Sequence, residues 1–278
     1  MTLLERQLLN HILCFHCKKL HSIDKARKYT YSYGYYIRFH LPASSCWTAD
    51  IQKYHYIHPE FSSTIFRMAM KRHRQCLDSK KVLNLLSHKT QTSSEYGFTK
   101  QVSTRSRIVE GCLLIRKQII FMIPITAPAP FPNHSGIQIC KHSGYVNLST
   151  PGQFGDMLRS RMADIDKTAG QSTAGGIRRC QHCVTDFRID VKRFEGYGVA
   201  IFFTCWKDLG EGQSALDEKW QTHVANEGGS KLDLLEFEDG SICSKFEQAE
   251  EFEFDSLLNP QNKRKLLRKR PDPWPGSE

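Results

Sequence analysis

Two Cys-x-x-Cys pairs, Cys14-Phe-His-Cys17 and Cys180-Gln-His-Cys183, constrain this chain more than any other feature. Two cysteines separated by two residues can present both sulfurs from one tight turn, so each pair offers two adjacent corners of a tetrahedral site for an ion such as zinc. The other two corners must come from elsewhere in the chain. For the second pair, Cys140 and His142 lie two apart on one predicted strand and therefore leave the same face. The expected site is Cys3His: Cys140, His142, Cys180 and Cys183. For the first pair, His16, His21 and Cys46 compete for the remaining corners, and the expected set is Cys14, Cys17, His21 and Cys46. Structural zinc is the expected cofactor at both.

Two other readings of such pairs stand beside the metal one. A redox pair opens a helix, whose N-terminus lowers the thiol pKa. Cys183 is instead followed by Val184, Asp186, Phe187 and Ile189 in strand-like spacing. The remaining alternative is ordinary buried thiols. Ten cysteines in a chain whose first residues lack a secretory signal pattern suit a reducing compartment, so cytoplasm or nucleus is expected. No run of eighteen apolar residues occurs, and no membrane partner is expected.

Charge is unevenly distributed. Residues 1–150 carry 21 Lys/Arg against 7 Asp/Glu, and residues 151–278 carry 18 against 22. A basic front half attracts polyanions and makes nucleic acid an alternative partner. Its focus is Ser62-Ser-Thr-Ile-Phe-Arg-Met-Ala-Met-Lys-Arg-His-Arg74, a predicted helix with a hydroxyl N-cap. Arg67, Lys71, Arg72 and Arg74 are expected on its exposed face. The alternating aromatic run Tyr29 to Phe39 predicts a strand, either core-facing or a platform for stacking bases.

Hydrophobic periodicity supplies the remaining elements. Residues 2–13 read as a short helix and 83–106 as a polar loop. Arg107–Ile115 and Gln118–Ile125 read as a hairpin turning at Arg116-Lys117. Ile137–Lys141 is a predicted short strand and Gly152–Ile165 a predicted helix. Val184–Val191 and Val199–Trp206 form a second predicted hairpin around Glu195-Gly-Tyr-Gly198. Asp217 is placed to cap a short helix carrying Trp220 and His223. From Asn226 onward an acidic block, Phe246–Asp255, and a basic block, Lys263–Arg270, predict a disordered charged tail; the basic block also reads as a nuclear import signal. The expected fold is α+β, short helices with small antiparallel sheets organised around the knuckles. Its expected units are a basic region 1–106 with the first knuckle, a β-rich region 107–225 with the second, and a tail 226–278.

Neither a nucleophile elbow, a His-Glu-x-x-His, a Walker loop nor a dinucleotide fingerprint is present. Binding is therefore expected over catalysis, with a thiol- or metal-dependent enzyme as a further alternative.

Leu3-Leu-Glu-Arg6 followed by Ile12-Leu-Cys14-Phe-His-Cys17-Lys-Lys-Leu-His21 resembles the stretch after the F-box in a group of filamentous-fungal proteins. Cys180-Gln-His-Cys183-Val-Thr-Asp-Phe, Trp206-Lys-Asp-Leu-Gly-Glu-Gly212 and Leu216-Asp-Glu-Lys-Trp220 resemble the C-terminal half of the same group. In that group an upstream F-box implies docking to a Skp-type adaptor of a cullin-RING ubiquitin ligase. This chain opens in what resembles the end of that box, so the box itself is not expected here. The resemblance thus implies the substrate-side part, a non-enzymatic protein-interaction module, as a truncated copy.

Overall fold

A computed structural model describes residues 8–14, 17–29, 56–58, 61–87, 91–95, 98–124, 139–142, 160, 163, 176–214, 216–224, 237–248, 252–258 and 260–267. The predicted tyrosine strand beyond Tyr29, Cys46 and nearly all of the predicted helix 152–165 lie outside these residues.

The chain first pairs β1 (His11–Leu13) with β2 (Leu20–Ser22) across the first Cys-x-x-Cys turn. The expected helix over 2–13 is therefore not formed at its described end. The turn takes the backbone groups a helix would need: Cys14 N donates to the Lys19 carbonyl and Ile23 N to that of Asn10. A 3-10 segment, Ile23–Tyr29, follows. Helix α1 (Ser63–Arg74) begins at the expected cap, where Ser62 Oγ accepts from Ile65 N at 3.4 Å. Helix α2 (Lys80–Leu86) packs behind it.

A six-stranded antiparallel sheet forms the centre. Its strands are β3 (Gln91–Glu95), β4 (Phe98–Val109), β5 (Cys112–Pro124), β6 (Arg178–Arg179), β7 (Thr185–Phe194) and β8 (Gly198–Asp208), in spatial order β3-β4-β5-β8-β7-β6. The hairpin at 195–198 forms as expected. The other hairpin turns at Glu110-Gly111, and Arg116-Lys117 lies mid-strand, contrary to expectation. Positive φ at Glu110 (50°) and Gly111 (75°) supplies the twist a two-residue hairpin turn requires. The expected loop 83–106 is instead the end of α2 followed by β3 and most of β4. Its Ser, Thr and Val residues suit an alternating strand. The sheet consequently runs across residue 106, where the sequence suggested a division.

Strand parity then assigns two faces. On one, Leu113 and Ile115 of β5 and Leu209, just beyond β8, meet Ile12, Ile57, Phe61, Ile65, Phe66 and Trp220, so α1 and the first knuckle cover this side. Farther along it, Ile119, Phe121, Ile201 and Phe203 pack together. The opposite face, with Leu114, Ile120, Phe202 and Trp206, is covered by the C-terminal segments. A sheet covered on both sides needs apolar residues of both parities, which explains the near-continuous burial of β8.

The expected disordered tail is corrected between 237 and 267. Helices α4 (Ser241–Glu247) and α5 (Pro260–Leu266) lie beyond α3 (Glu218–Val224), and Phe246, Phe254 and Leu266 are buried on the sheet. The acidic block folds down because its aromatic residues meet arginines. Arg116 lies over the Phe246 and Phe252 rings (5.5 and 5.2 Å), and Arg188 lies over Phe252 and Phe254 (5.5 and 5.8 Å). Glu247 adds a buried ion pair with Arg116 at 3.1 Å. Within the acidic block, which looks solvated in sequence, Glu247 and Asp255 are thus paired with Arg116 and Lys192 of the central strands. Residues 225–236 and 268–278 lie outside the described part.

Candidate metal centres

The second knuckle sits between β6 and β7. Cys180 N donates to the Thr185 carbonyl, and Thr185 N to that of Cys183, folding the turn back on the start of β7. His182 N donates to Cys180 Sγ at 3.4 Å. The segment Ile139–His142 meets this turn from across the chain, anchored by Ile139 against Phe187 and Cys205. Ile139 to Lys141 form a bend and turn, not the expected strand, so the two ligands converge by loop geometry and not by strand parity.

The donor atoms of Cys140, His142, Cys180 and Cys183 all lie within 4.8 Å of one another. Cys140 Sγ is 3.6 Å from Cys180 Sγ, and Cys180 Sγ is 4.0 Å from His142 Nδ1. A tetrahedron with metal–sulfur bonds of about 2.3 Å has sulfur–sulfur edges of about 3.8 Å, so these separations fit an ion at the centre. Cys140 and Cys183 are buried, and Cys180 and His142 are partly exposed.

Electrostatics favour a cation there. Contacts with Cys180 and then Cys183 hold the Cys140 thiol well below its ordinary range, while the contacts with Cys140 and Cys180 push Cys183 well above. Burial works against a charged His142, but hydrogen bonds to Cys140 and Cys180 more than offset it and raise the imidazole to about 9. Three sulfurs this close cannot all ionise unless a cation replaces the protons.

At the first knuckle Cys14, Cys17 and His21 also lie with donor atoms within 4.8 Å of one another, and Cys17 Sγ is 3.2 Å from His21 Nε2. Burial, followed by the nearby Lys19, lowers the His21 pKa. Buried Cys14 reaches Thr64 of α1 at 4.0 Å, tying the knuckle to the helix. The fourth expected ligand, Cys46, lies outside the described residues.

The helix cations sit differently from expectation. Arg67 and Lys71 are buried, with relative exposures of 6% and 3%. Arg67 donates to the Leu13 carbonyl, and Lys71 donates to those of Leu8 and His11, at 2.8 and 2.6 Å. Arg72 and Arg74 are partly exposed and donate to the Asp78 and Glu211 carbonyls, each at 2.7 Å. The four cations therefore clamp neighbouring backbone, and Arg67 and Lys71 are not on an exposed phosphate-binding face. Long cationic stems buried along an apolar helix face explain the difference.

The segment Trp206–Trp220 has a structural account. Asp208 Oδ1 accepts from Gly210 N, and its other oxygen pairs with Lys219 at 2.7 Å. Asp217 accepts from Glu211 N and from Trp220 N, capping α3 as expected. Sequence reasoning did not single out Thr185, whose hydroxyl lies 3.2 Å from Cys183 Sγ, or Lys207, fully buried beside the second knuckle. The parity of Ile201, Phe203, Cys205 and Lys207 is the signal that marks Lys207 as inward. Among the described residues no helix is long and apolar enough to cross a membrane. No protein-family model, curated protein or solved structure matches the chain.

Proposed function

We propose that Cys140, His142, Cys180 and Cys183 hold one structural zinc ion, and that the chain is a non-enzymatic protein-interaction module related to the substrate-side part of F-box-type fungal proteins. The observation that carries the zinc reading is a set of four protein donors within 4.8 Å of one another. Four protein ligands fill a zinc tetrahedron, and a filled tetrahedron leaves no position for a reacting water. The ion would tie the Ile139–His142 segment to the β6–β7 turn and so fix a loop surface on the sheet. Cys14, Cys17 and His21 form a second, similar anchor at the N-terminal hairpin, with Cys46 as its fourth ligand.

The interaction reading draws on the resemblance of the two knuckles and the Trp206–Trp220 segment. Metal analysis of the purified chain tests the first part: one to two zinc ions per chain, and a melting temperature that falls when a chelator removes them. Metal-free protein with unchanged stability removes it. Affinity purification with mass spectrometry tests the second. A reproducible partner protein supports the module, and a Skp-type adaptor among the partners supports membership of a ligase. Turnover of a substrate that is lost with Cys140→Ser would overturn the non-enzymatic reading.

A further inference from the structure

We propose that Lys207 is the buried counter-cation of the metal-loaded Cys140–His142–Cys180–Cys183 centre, a positioning residue that balances its net charge. The inference rests on the metal reading given above.

Lys207 stands on the inward face of β8 with a relative exposure of 0%. Its ammonium donates to the carbonyl of Ile139, one residue before Cys140. Its cross-strand partner on β7 is Thr185, whose hydroxyl touches Cys183 Sγ at 3.2 Å. The side chain therefore sits where the two halves of the centre meet. Because β8 is a central strand, that position does not depend on the metal.

Among the described residues no carboxylate pairs with Lys207. Its ammonium donates to the Ile139 carbonyl and lies 6.0 Å from the centre of the Tyr56 ring. The adjacent Asp208 points to the opposite face, and its oxygens serve Gly210 N and Lys219. Lys117, a second buried lysine on the same face, donates to the Tyr56 carbonyl and adds positive charge. His223, buried nearby, donates from Nε2 to the Asp208 carbonyl and is neutral. A buried cation is costly unless something of opposite sign accompanies it. A divalent ion held by three thiolates and one neutral imidazole carries one net negative charge, which one ammonium cancels. Loss of the ion removes that pairing.

This gives Lys207 opposite effects in the two states, which a residue that only packs would not show. Methionine matches the lysine stem in length and lacks the charge. In the full chain carrying Cys17→Ser, which takes a ligand from the first cluster, zinc affinity is measured by competition with a chromophoric chelator. Unfolding is followed with and without zinc. K207M is expected to weaken zinc binding about 10- to 100-fold while raising the melting temperature of the metal-free protein. K207R is expected to bind zinc more tightly than K207M. A K207M chain that binds zinc as tightly as its parent overturns the counter-cation and leaves the metal reading intact. So does one that loses stability equally with and without zinc. A parent chain with no zinc at the four residues overturns both.

Discussion

Replacing Glu247 with Gln removes one charge from the heart of the C-terminal packing and keeps its shape. Both Glu247 oxygens lie 3.1 Å from the same Arg116 nitrogen, and Oε1 also accepts from Trp206 Nε1 at 2.8 Å. The two side chains are each 8% exposed, so solvent screens the pair little. An amide oxygen can still serve Trp206, but the guanidinium is left buried without a counter-charge. Breaking a buried pair by removing one partner costs about 3–5 kcal/mol. The Phe246 and Phe252 rings continue to face Arg116, which places the expected loss near the lower end, about 3 kcal/mol. For a domain of this size that lowers the melting temperature by about 6–12 °C. Differential scanning calorimetry reads this directly. The exposed pair Lys245–Glu110 supplies the control, and Glu110→Gln is expected to leave the melting temperature unchanged. Pairing Glu247→Gln with Arg116→Met is expected to recover most of the loss, because two uncharged groups need no partner. A Glu247→Gln chain within about 0.5 kcal/mol of the parent would show that the acidic segment is not seated on the sheet.

Three further outcomes are expected. Gly212→Ala places a methyl group 2.8 Å from Phe66 Cζ at a φ of +62°, and a loss of roughly 1–3 kcal/mol should appear in urea unfolding, whereas Gly196→Ala meets open space and loses less. Burial, followed by the charge of Lys207, holds His223 down to about 3, so the folded chain keeps it neutral while the unfolded chain protonates it near 6.5. Its contribution is complete above pH 6.5 and is lost as pH falls toward 3, at about 1.4 kcal/mol per pH unit; His223→Gln should flatten that slope in acid unfolding. Lys71→Met strips the Leu8 and His11 carbonyls of their donor and is expected to lower the melting temperature. A Lys71→Met chain that melts normally but loses salt-dependent affinity for mixed-sequence DNA would return α1 to a phosphate-binding role.

Much of the second candidate metal site is legible in the residues themselves. Cys180 and Cys183 announce a turn, and Cys140 and His142 are the nearest ligand-type pair of matching spacing, so the four can be grouped without coordinates. The route is not legible there, since they meet through a bend at Ile139–Lys141 and not on a strand. Helix α1 and its Ser62 cap were readable because cap chemistry is local. Arg67 and Lys71 were not, because a long cation looks identical in sequence whether its head reaches water or a buried carbonyl. The same ambiguity hid the inward Arg116 and Lys117, which read as a turn until their partners, Glu247 and the Tyr56 carbonyl, are seen across the fold. It also made Phe246–Asp255 look like solvated tail, since nothing local shows that its phenylalanines lie against Arg116 and Arg188.

X-ray absorption at the zinc edge, on the full chain with Cys14→Ser and Cys17→Ser so that only the second cluster contributes, tests the metal centre most directly. Three sulfur neighbours at about 2.3 Å and one nitrogen at about 2.0 Å are expected, with His142→Ala removing the nitrogen. A shell of oxygens, or a spectrum that does not change when Cys140 and Cys183 become serine, would contradict a zinc ion held by these four residues.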